Sequence, residues 1–229
     1  MAAEPAHRIR LDGEALVANW RWHRQRAGVL AAAAVKADGY GLGAREVVAR
    51  LAAAGCATFA VSSWIEAEAL GHPPVGTVVL VLHGFVPVDA PAAAAMPWVR
   101  PVLNTAAQIA AWRAAFPGRP ADVMVDTGMN RLGIAPGELG LAAGLRVAMV
   151  HSHLATADLP DHPMADVQRA RFAEVAAANS GVPHALANSA GVCRGRQFSF
   201  DLVRPGLGIY GGRAHPAAEP RRVVVARRG

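Results

Sequence analysis

About eight short apolar runs alternate with amphipathic stretches along this chain, and that alternation constrains the fold more than any other feature. The runs lie at residues 29–35, 58–61, 77–82, 98–103, 121–125, 146–153, 184–187 and 200–203. Between them, residues 44–54, 64–70, 105–116 and 164–178 carry apolar side chains at helical spacing. Strands joined through helices lie parallel, because each helix carries the chain back to the end where the next strand starts. The run TVVLVL at 77–82 is apolar throughout, as a strand covered on both faces must be. Two architectures meet these conditions, a (β/α)8 barrel and a doubly wound open sheet. From Gly212 onward the alternation gives way to Pro, Ala and Arg (GRAHPAAEPRRVVVARRG), which reads as a connector with residues 223–225 opening a further strand.

With 229 residues, 53% of them hydrophobic, the chain can bury one large core. No apolar run approaches the ~18–20 residues that span a bilayer, and the first ten residues lack the apolar stretch of a secretory signal. Cys56 and Cys193 stand far apart in no CxxC pattern, which points to free thiols in a reducing compartment. A cytoplasmic location is therefore expected. The net charge of +6 comes from arginines scattered along the chain, with a terminal group at Arg221, Arg222, Arg227 and Arg228. No basic stripe with interleaved aromatics accompanies them, so neither a nucleic-acid nor a membrane partner is expected. His151 and His153 share a strand face and, with Asp158 and His162, could suggest a metal site, but ligation needs a geometry that sequence does not show, and no metal is expected.

Of the 23 basic side chains, 22 are arginine and one, Lys36, is lysine. Arginine replaces lysine as a surface charge, but it cannot be deprotonated to a nucleophilic amine. The lone lysine is thus a candidate for covalent chemistry. Its placement agrees with that role. Lys36 directly follows the first apolar run, in AVKADGYGLG. Arg131 follows the run at 121–125, in VDTGMNRLG; His153 ends its run, in HSHLATAD. Asn188 and Ser189 follow 184–187, in ANSAG; Arg204, Gly206 and Leu207 follow 200–203, in VRPGLGIYG. The C-terminal strand ends of a parallel barrel converge on one face and carry its active site, often with a phosphate site after the last two strands. Glycines there let backbone N–H groups come close to an anion.

These motifs occur in the order, and close to the wording, of the alanine racemase family, which this chain resembles over roughly residues 9–212. PVLNTAAQ from Pro101 and FAVSSWIEAEAL from Phe59 add weaker matches. The resemblance implies a pyridoxal phosphate (PLP)-dependent (β/α)8 barrel of fold type III. Residues 1–212 would form that barrel, and residues 213–229 would begin a β-rich second domain that the chain lacks. The implied activity is the interconversion of L- and D-alanine, supplying D-alanine for peptidoglycan, in a homodimer. Lys36 matches the lysine that binds PLP covalently and then serves as one of two bases. Tyr40, Asn188, Ser189, Gly206 and Leu207 match cofactor contacts, most of them to the phosphate. Arg131 matches an arginine beside the cofactor's phenolic oxygen and the substrate. His153 and Arg204 match a hydrogen-bonded pair whose arginine faces the pyridine nitrogen. An arginine there only donates, so it keeps that nitrogen unprotonated and weakens the ring as an electron sink.

The chain departs from the family in three places. Met124 stands where many relatives carry a lysine that can be carbamylated, so Arg131 is expected either to be oriented some other way or to be less well fixed. The segment between Arg131 and His153 is several residues short, so a helix there is expected to be trimmed. The second base, which the family draws from the second domain of a partner subunit, has no counterpart here, so an impaired racemase is expected. The alternative function is a non-catalytic PLP-binding or carrier barrel; a PLP-dependent decarboxylase or D-amino-acid lyase fits less well, because decarboxylases of this fold place a carboxylate where Arg204 stands.

Overall fold

The computed structural model describes residues 7–228. Its main sheet is wholly parallel and runs in the order β2-β10-β9-β8-β7-β6-β5-β4-β3. The strands are β2 (Leu30–Ala31), β3 (Ala33–Ala34), β4 (Thr58–Val61), β5 (Val78–Val81), β6 (Val99–Leu103), β7 (Ala121–Met124), β8 (Val147–His151), β9 (His184–Ala185) and β10 (Leu202–Val203). The two ends of that order, β2 and β3, are halves of one continuous run interrupted at Ala32. A sheet that begins and ends on the same run is closed. The chain is therefore a (β/α)8 barrel, and the open doubly wound alternative is excluded. Strand β1 (His7–Leu11) lies outside the barrel and pairs antiparallel with β11 (Val224–Arg228). The extra strand expected from residue 223 thus exists and closes back on the start of the chain.

The two-residue period of a strand sorts side chains to opposite faces. On β7, Ala121 and Val123 join the large shell core, whereas Asp122 and Met124 point the other way. The same split recurs along the sheet. Phe59, Val79, Val81, Leu103, Val150, Leu186 and Val203 pack against the helices. Ala60, Leu80, Val102 and Met124 form a separate inner cluster, and Ala32, Ala185 and Leu202 another. Ala32, between β2 and β3, and the inward positions Ala34 on β3, Ala60 on β4 and Ala185 on β9 are all alanine, which leaves room inside the barrel. The barrel thus has two apolar inner clusters instead of one, and charged groups lie among the inward positions.

The surrounding helices are α1 (Gly13–Ala27), α3 (Ala44–Ala53), α4 (Trp64–Leu70), α5 (Ala90–Ala95), α6 (Ala106–Ala115), α7 (Met164–Ala178) and α8 (Ser189–Arg194), with the short segment α2 (Lys36–Gly41) discussed below. Local chemistry explains their bounds. Asp12, Ser63, Thr105 and Asn188 cap α1, α4, α6 and α8 by accepting from backbone N–H groups of the first turn. Helix α1 stops at Gly28, which takes the left-handed conformation at φ 73°. Its large inward side chains, Leu16 and Trp20, are fully buried, and the Trp20 indole donates to Ala31 O on β2 at 3.2 Å. Between β7 and β8 a 3-10 helix, Pro136–Ala142, stands in place of a full α-helix. This is the trimming that the short segment implied.

Candidate active site

All nine residues singled out from the sequence, Lys36, Tyr40, Arg131, His153, Asn188, Ser189, Arg204, Gly206 and Leu207, line one cavity of about 290 Å³. Its floor is Ala34, Ala60, Leu82 and Met124, which come from the C-terminal ends of β3, β4, β5 and β7. A larger groove of about 780 Å³ runs along α1 and residues 218–221. It lies away from the strand ends and contains no lysine, so the chemistry belongs to the smaller cavity.

The segment that carries Lys36 is built unusually. Ala37, Asp38, Gly39 and Tyr40 have φ between 49° and 63°, one turn of left-handed helix directly after β3. For residues with a Cβ this conformation costs ~1–2 kcal/mol each, so neighbouring contacts must hold it. Asp38 Oδ1 accepts from Ala44 N at 2.8 Å, and Asp38 O accepts from Gly43 N. The Glu66 carboxylate, at the first turn of α4, accepts from Ala37 N at 2.9 Å and Ser62 N at 2.7 Å. The Tyr40 ring stacks on Tyr210 at 4.5 Å, and the Tyr210 hydroxyl donates to Ala34 O at 2.8 Å. The turn thereby swings Tyr40 back toward the loop after β10. A Cβ placed on Gly206 would collide with the Tyr40 hydroxyl, so only glycine leaves this space open. Ser189 Oγ accepts from Gly206 N at 2.9 Å and Gly208 N at 3.1 Å. The hydroxyls of Tyr40 and Ser189 thus meet at one corner, and Ser189, held as an acceptor by both glycine N–H groups, has its own proton free for an anion such as a phosphate.

The opposite wall is fixed from β7 and β8. Gln168 on α7 donates to His153 O at 2.8 Å and accepts from Ala155 N at 2.8 Å, which pins the loop after β8. His153 is kept neutral, its pKa pulled down to about 3, first by burial and then by the positive charges of Arg204, Arg131 and Lys36. Three cations around one neutral ring give the cavity a positive field, which suits a ligand bearing phosphate and carboxylate groups. Among the described residues no hydrogen bond holds the Arg131 guanidinium. With Met124 on the floor beside it, the arginine lacks the fixed acceptor that a modified lysine would give.

One expected pairing is corrected. The resemblance pairs Arg204 with His153. In the structure the histidine bonded to Arg204 is His151, whose Nδ1 lies 2.9 Å from Arg204 Nη1. Arg204 also donates from Nη1 to Ala185 O and from Nη2 to Ser152 O. His153 lies nearby on the cavity wall. The point at which β8 ends explains the exchange. His151, the last residue of β8, points into the barrel beside Arg204, whereas His153 lies beyond the strand in the loop. Behind His151 the network continues. Its Nε2 lies 2.7 Å from Asp122 Oδ2, and Asp122 Oδ1 pairs with Arg100 Nε at 2.7 Å. Asp122 and Arg100 escaped the sequence reading because each sits inside an otherwise apolar run; a charge at an inward-facing strand position was the available signal.

The sequence profile of the alanine racemase N-terminal domain matches residues 11–214. The chain is 41% identical to the alanine racemase of Methylobacterium nodulans, covering 98% of this chain and 64% of that protein. It is 43% identical to the alanine racemase of Rhizobium meliloti, covering 95% of this chain and 60% of that protein. The chain therefore spans less than two thirds of the length of these relatives. Its fold superposes with a TM-score of 0.88 on the crystal structure of alanine racemase from Bartonella henselae with covalently bound pyridoxal phosphate, at 30% identity over 98% of this chain and 69% of that one.

Proposed function

The chain belongs to the alanine racemase family, and from that membership and the cavity we propose that it binds PLP through Lys36 and forms the barrel half of a racemase acting on alanine. The observation that carries this reading is the convergence of the only lysine with Tyr40, Ser189, Gly206 and Arg204 on one cavity at the strand ends. The corner at Gly206 fits the group, since the Tyr40 hydroxyl lies there and Ser189 Oγ, accepting from Gly206 N and Gly208 N, keeps its own proton to donate. When bound, PLP withdraws electrons from an amino acid joined to it and so acidifies the Cα proton.

The chain's own residues then have distinct tasks. Tyr40, Asn188, Ser189, Gly206 and Leu207 hold the phosphate corner. Arg204 would donate to the ring nitrogen and, as a permanent donor, would keep it unprotonated. Arg131 would be the cation available to the phenolic oxygen and the substrate carboxylate. His153 stays neutral and fills the wall between the arginines. Lys36 Nζ holds the cofactor, then takes or returns the proton on one face of Cα. Racemisation needs an acid–base group on the other face as well. Tyr210 does not serve, because its hydroxyl is bonded to Ala34 O and burial pushes its pKa up. The second group therefore comes from outside this barrel, from the second domain of a partner subunit in a homodimer. Residues 213–229 are the connector toward that domain. D-alanine for peptidoglycan is the product, and the cytoplasm is the location; among the described residues no helix is long and apolar enough to cross a membrane.

The test is direct. Purified chain is incubated with PLP, reduced with borohydride and mapped by mass spectrometry. A pyridoxyl group on the Lys36 peptide is expected. Failure to incorporate PLP, or a label on the N-terminal amine alone, overturns the reading.

A further inference from the structure

A row of charged and polar groups crosses the inside of the barrel below the cavity. Arg100 stands on β6, Asp122 on β7, His151 at the end of β8 and Arg204 after β10. Asp122 and His151 have no exposed surface, and Arg204 is 6% exposed. Charges in such a place cost several kcal/mol unless each is paired, so the pairing is itself informative. Arg100 Nε lies 2.7 Å from Asp122 Oδ1 as an ion pair without hydrogen-bond geometry, and Asp122 Oδ2 is hydrogen-bonded to His151 Nε2 at 2.7 Å. His151 Nδ1 reaches Arg204 Nη1 at 2.9 Å.

Both neighbours of His151 demand the same tautomer. A carboxylate only accepts, so Nε2 must carry the proton. A guanidinium only donates, so Nδ1 must be the bare lone pair. Protonating Nδ1 would set two donors against each other. Burial also holds the ring neutral, with its pKa down at about 4. Arg204 is thereby held on three sides. Nη1 donates to His151 and to Ala185 O, and Nη2 donates to Ser152 O. Nε is left without a partner among the described residues. Burial draws the Arg204 pKa down to about 10 while the charge of Asp122 acts in the opposite sense, so the guanidinium stays charged at neutral pH.

We propose that Asp122 and His151 are positioning residues for Arg204: the carboxylate, anchored by Arg100, fixes one His151 tautomer, and that ring holds the plane and charge of the arginine that donates toward the cofactor's ring nitrogen. This rests on the reading of Arg204 as the residue facing that nitrogen. A carboxylate acts on the ring here only at a distance, through a neutral imidazole and an arginine. The arrangement conveys negative charge toward the site without offering a proton to the ring nitrogen.

The experiment uses the full chain without cofactor first. Nitrogen-15 NMR reports which ring nitrogen of His151 is protonated, with His151→Gln providing the assignment. Side-chain arginine spectra report how fast the Arg204 guanidinium rotates, with Arg204→Lys providing the assignment. The expected result is a neutral His151 with its proton on Nε2 and a slowly rotating Arg204. Asp122→Asn is expected to mix the two tautomers and to speed the rotation roughly tenfold, as for the loss of one charge-assisted hydrogen bond. Asp122→Glu, which keeps the charge, is expected to recover part of the difference. A proton on Nδ1 in the unaltered chain overturns the proposal, as does an Asp122→Asn protein with Arg204 as slow as before. Should Asp122→Asn fail to fold, the tautomer and rotation in the unaltered chain decide alone. PLP is then added. A chain that shows the expected ring and guanidinium yet takes up no PLP overturns the reading of the cavity and leaves the relay standing. Uptake of PLP beside a freely rotating Arg204 does the reverse.

Discussion

Lys36 has no substitute within the chain, because the other 22 basic residues are arginines and cannot offer a free amine. Lys36→Ala is expected to abolish borohydride-fixed PLP completely while leaving thermal unfolding unchanged within about 1 kcal/mol; mass spectrometry and calorimetry check the two halves. Arg204 decides what happens to the substrate electrons. Arg204→Glu would place an acid where a permanent donor stands, and a protonated ring nitrogen makes a stronger electron sink. Transamination side products are expected to rise relative to racemisation or Cα exchange. They are measured as pyruvate formed from alanine, and an unchanged ratio in a cofactor-loaded variant would contradict the assignment. His151 and His153 make stability depend on pH. Each is neutral when folded, with pKa values of about 4 and about 3 against 6.5 for the free side chain. The unfolded chain then binds more protons as the pH falls below 6.5, so the contribution is complete above that value and is lost progressively toward pH 4. The slope is up to ~1.4 kcal/mol per pH unit for each histidine. Urea midpoints at pH 7.5 and pH 5 are expected to differ accordingly, and His153→Gln is expected to flatten the difference.

Among the elements, the left-handed turn after β3 is the one that converts backbone strain into site geometry. Gly39 is buried at φ 63°, and an added Cβ would meet Ala44 Cα at 3.1 Å and Ala44 N at 3.2 Å. Gly39→Ala is expected to destabilise the chain by ~1–2 kcal/mol and to weaken PLP binding, because Tyr40 moves with the turn. The loop after β10 works in the opposite way, by leaving space empty. Gly206→Ala is expected to keep the fold but lower PLP affinity at least ~10-fold, about 1.4 kcal/mol, since its methyl occupies the corner beside the Tyr40 hydroxyl. Fluorescence titration with PLP, run beside a denaturation curve, separates the two outcomes. The turn could not be read from AVKADGYGLG, because left-handed backbone at Ala37, Asp38 and Tyr40 runs against local preference. Contacts from Glu66, 29 residues away, and from Ala44 impose it.

For the whole molecule, closure of the sheet brings residues far apart in the chain onto one rim, and it sets what the barrel can do alone. Tyr40 and Tyr210 are the only tyrosines, and Tyr210 is committed to Ala34 O and to stacking on Tyr40. The 229-residue chain, loaded with PLP, is therefore expected to exchange the Cα proton of one alanine enantiomer in deuterated solvent through Lys36. The other enantiomer should exchange ~10²–10⁴-fold more slowly, the usual cost of lacking one positioned acid–base group. Proton NMR on L- and D-alanine in separate tubes measures both rates. Equal rapid exchange from both would mean that a second base lies within these residues.

The sequence determined a parallel βα architecture, the positions of eight strand runs, the lone lysine and most of the residues that line the cavity, because each is a matter of local pattern or of position at a strand end; the family resemblance added the barrel and Tyr40, and closure of the sheet decided against an open one. It also contained the trimmed segment before β8 and the loss of a partner for Arg131. The helix α1 was not read from it, since the polar residues Asn19 and His23 lie on its buried face and only packing of Leu16 and Trp20 on the barrel shows that face. The partner of Arg204 was decided by the tertiary structure alone. His151 and His153 are equivalent in sequence, two residues apart on the same alternation; only the point at which β8 ends, and the presence of Asp122 on the neighbouring strand, send one ring into the barrel and leave the other on the cavity wall. Strand pairing between distant segments sets that register, and no local preference of either histidine encodes it.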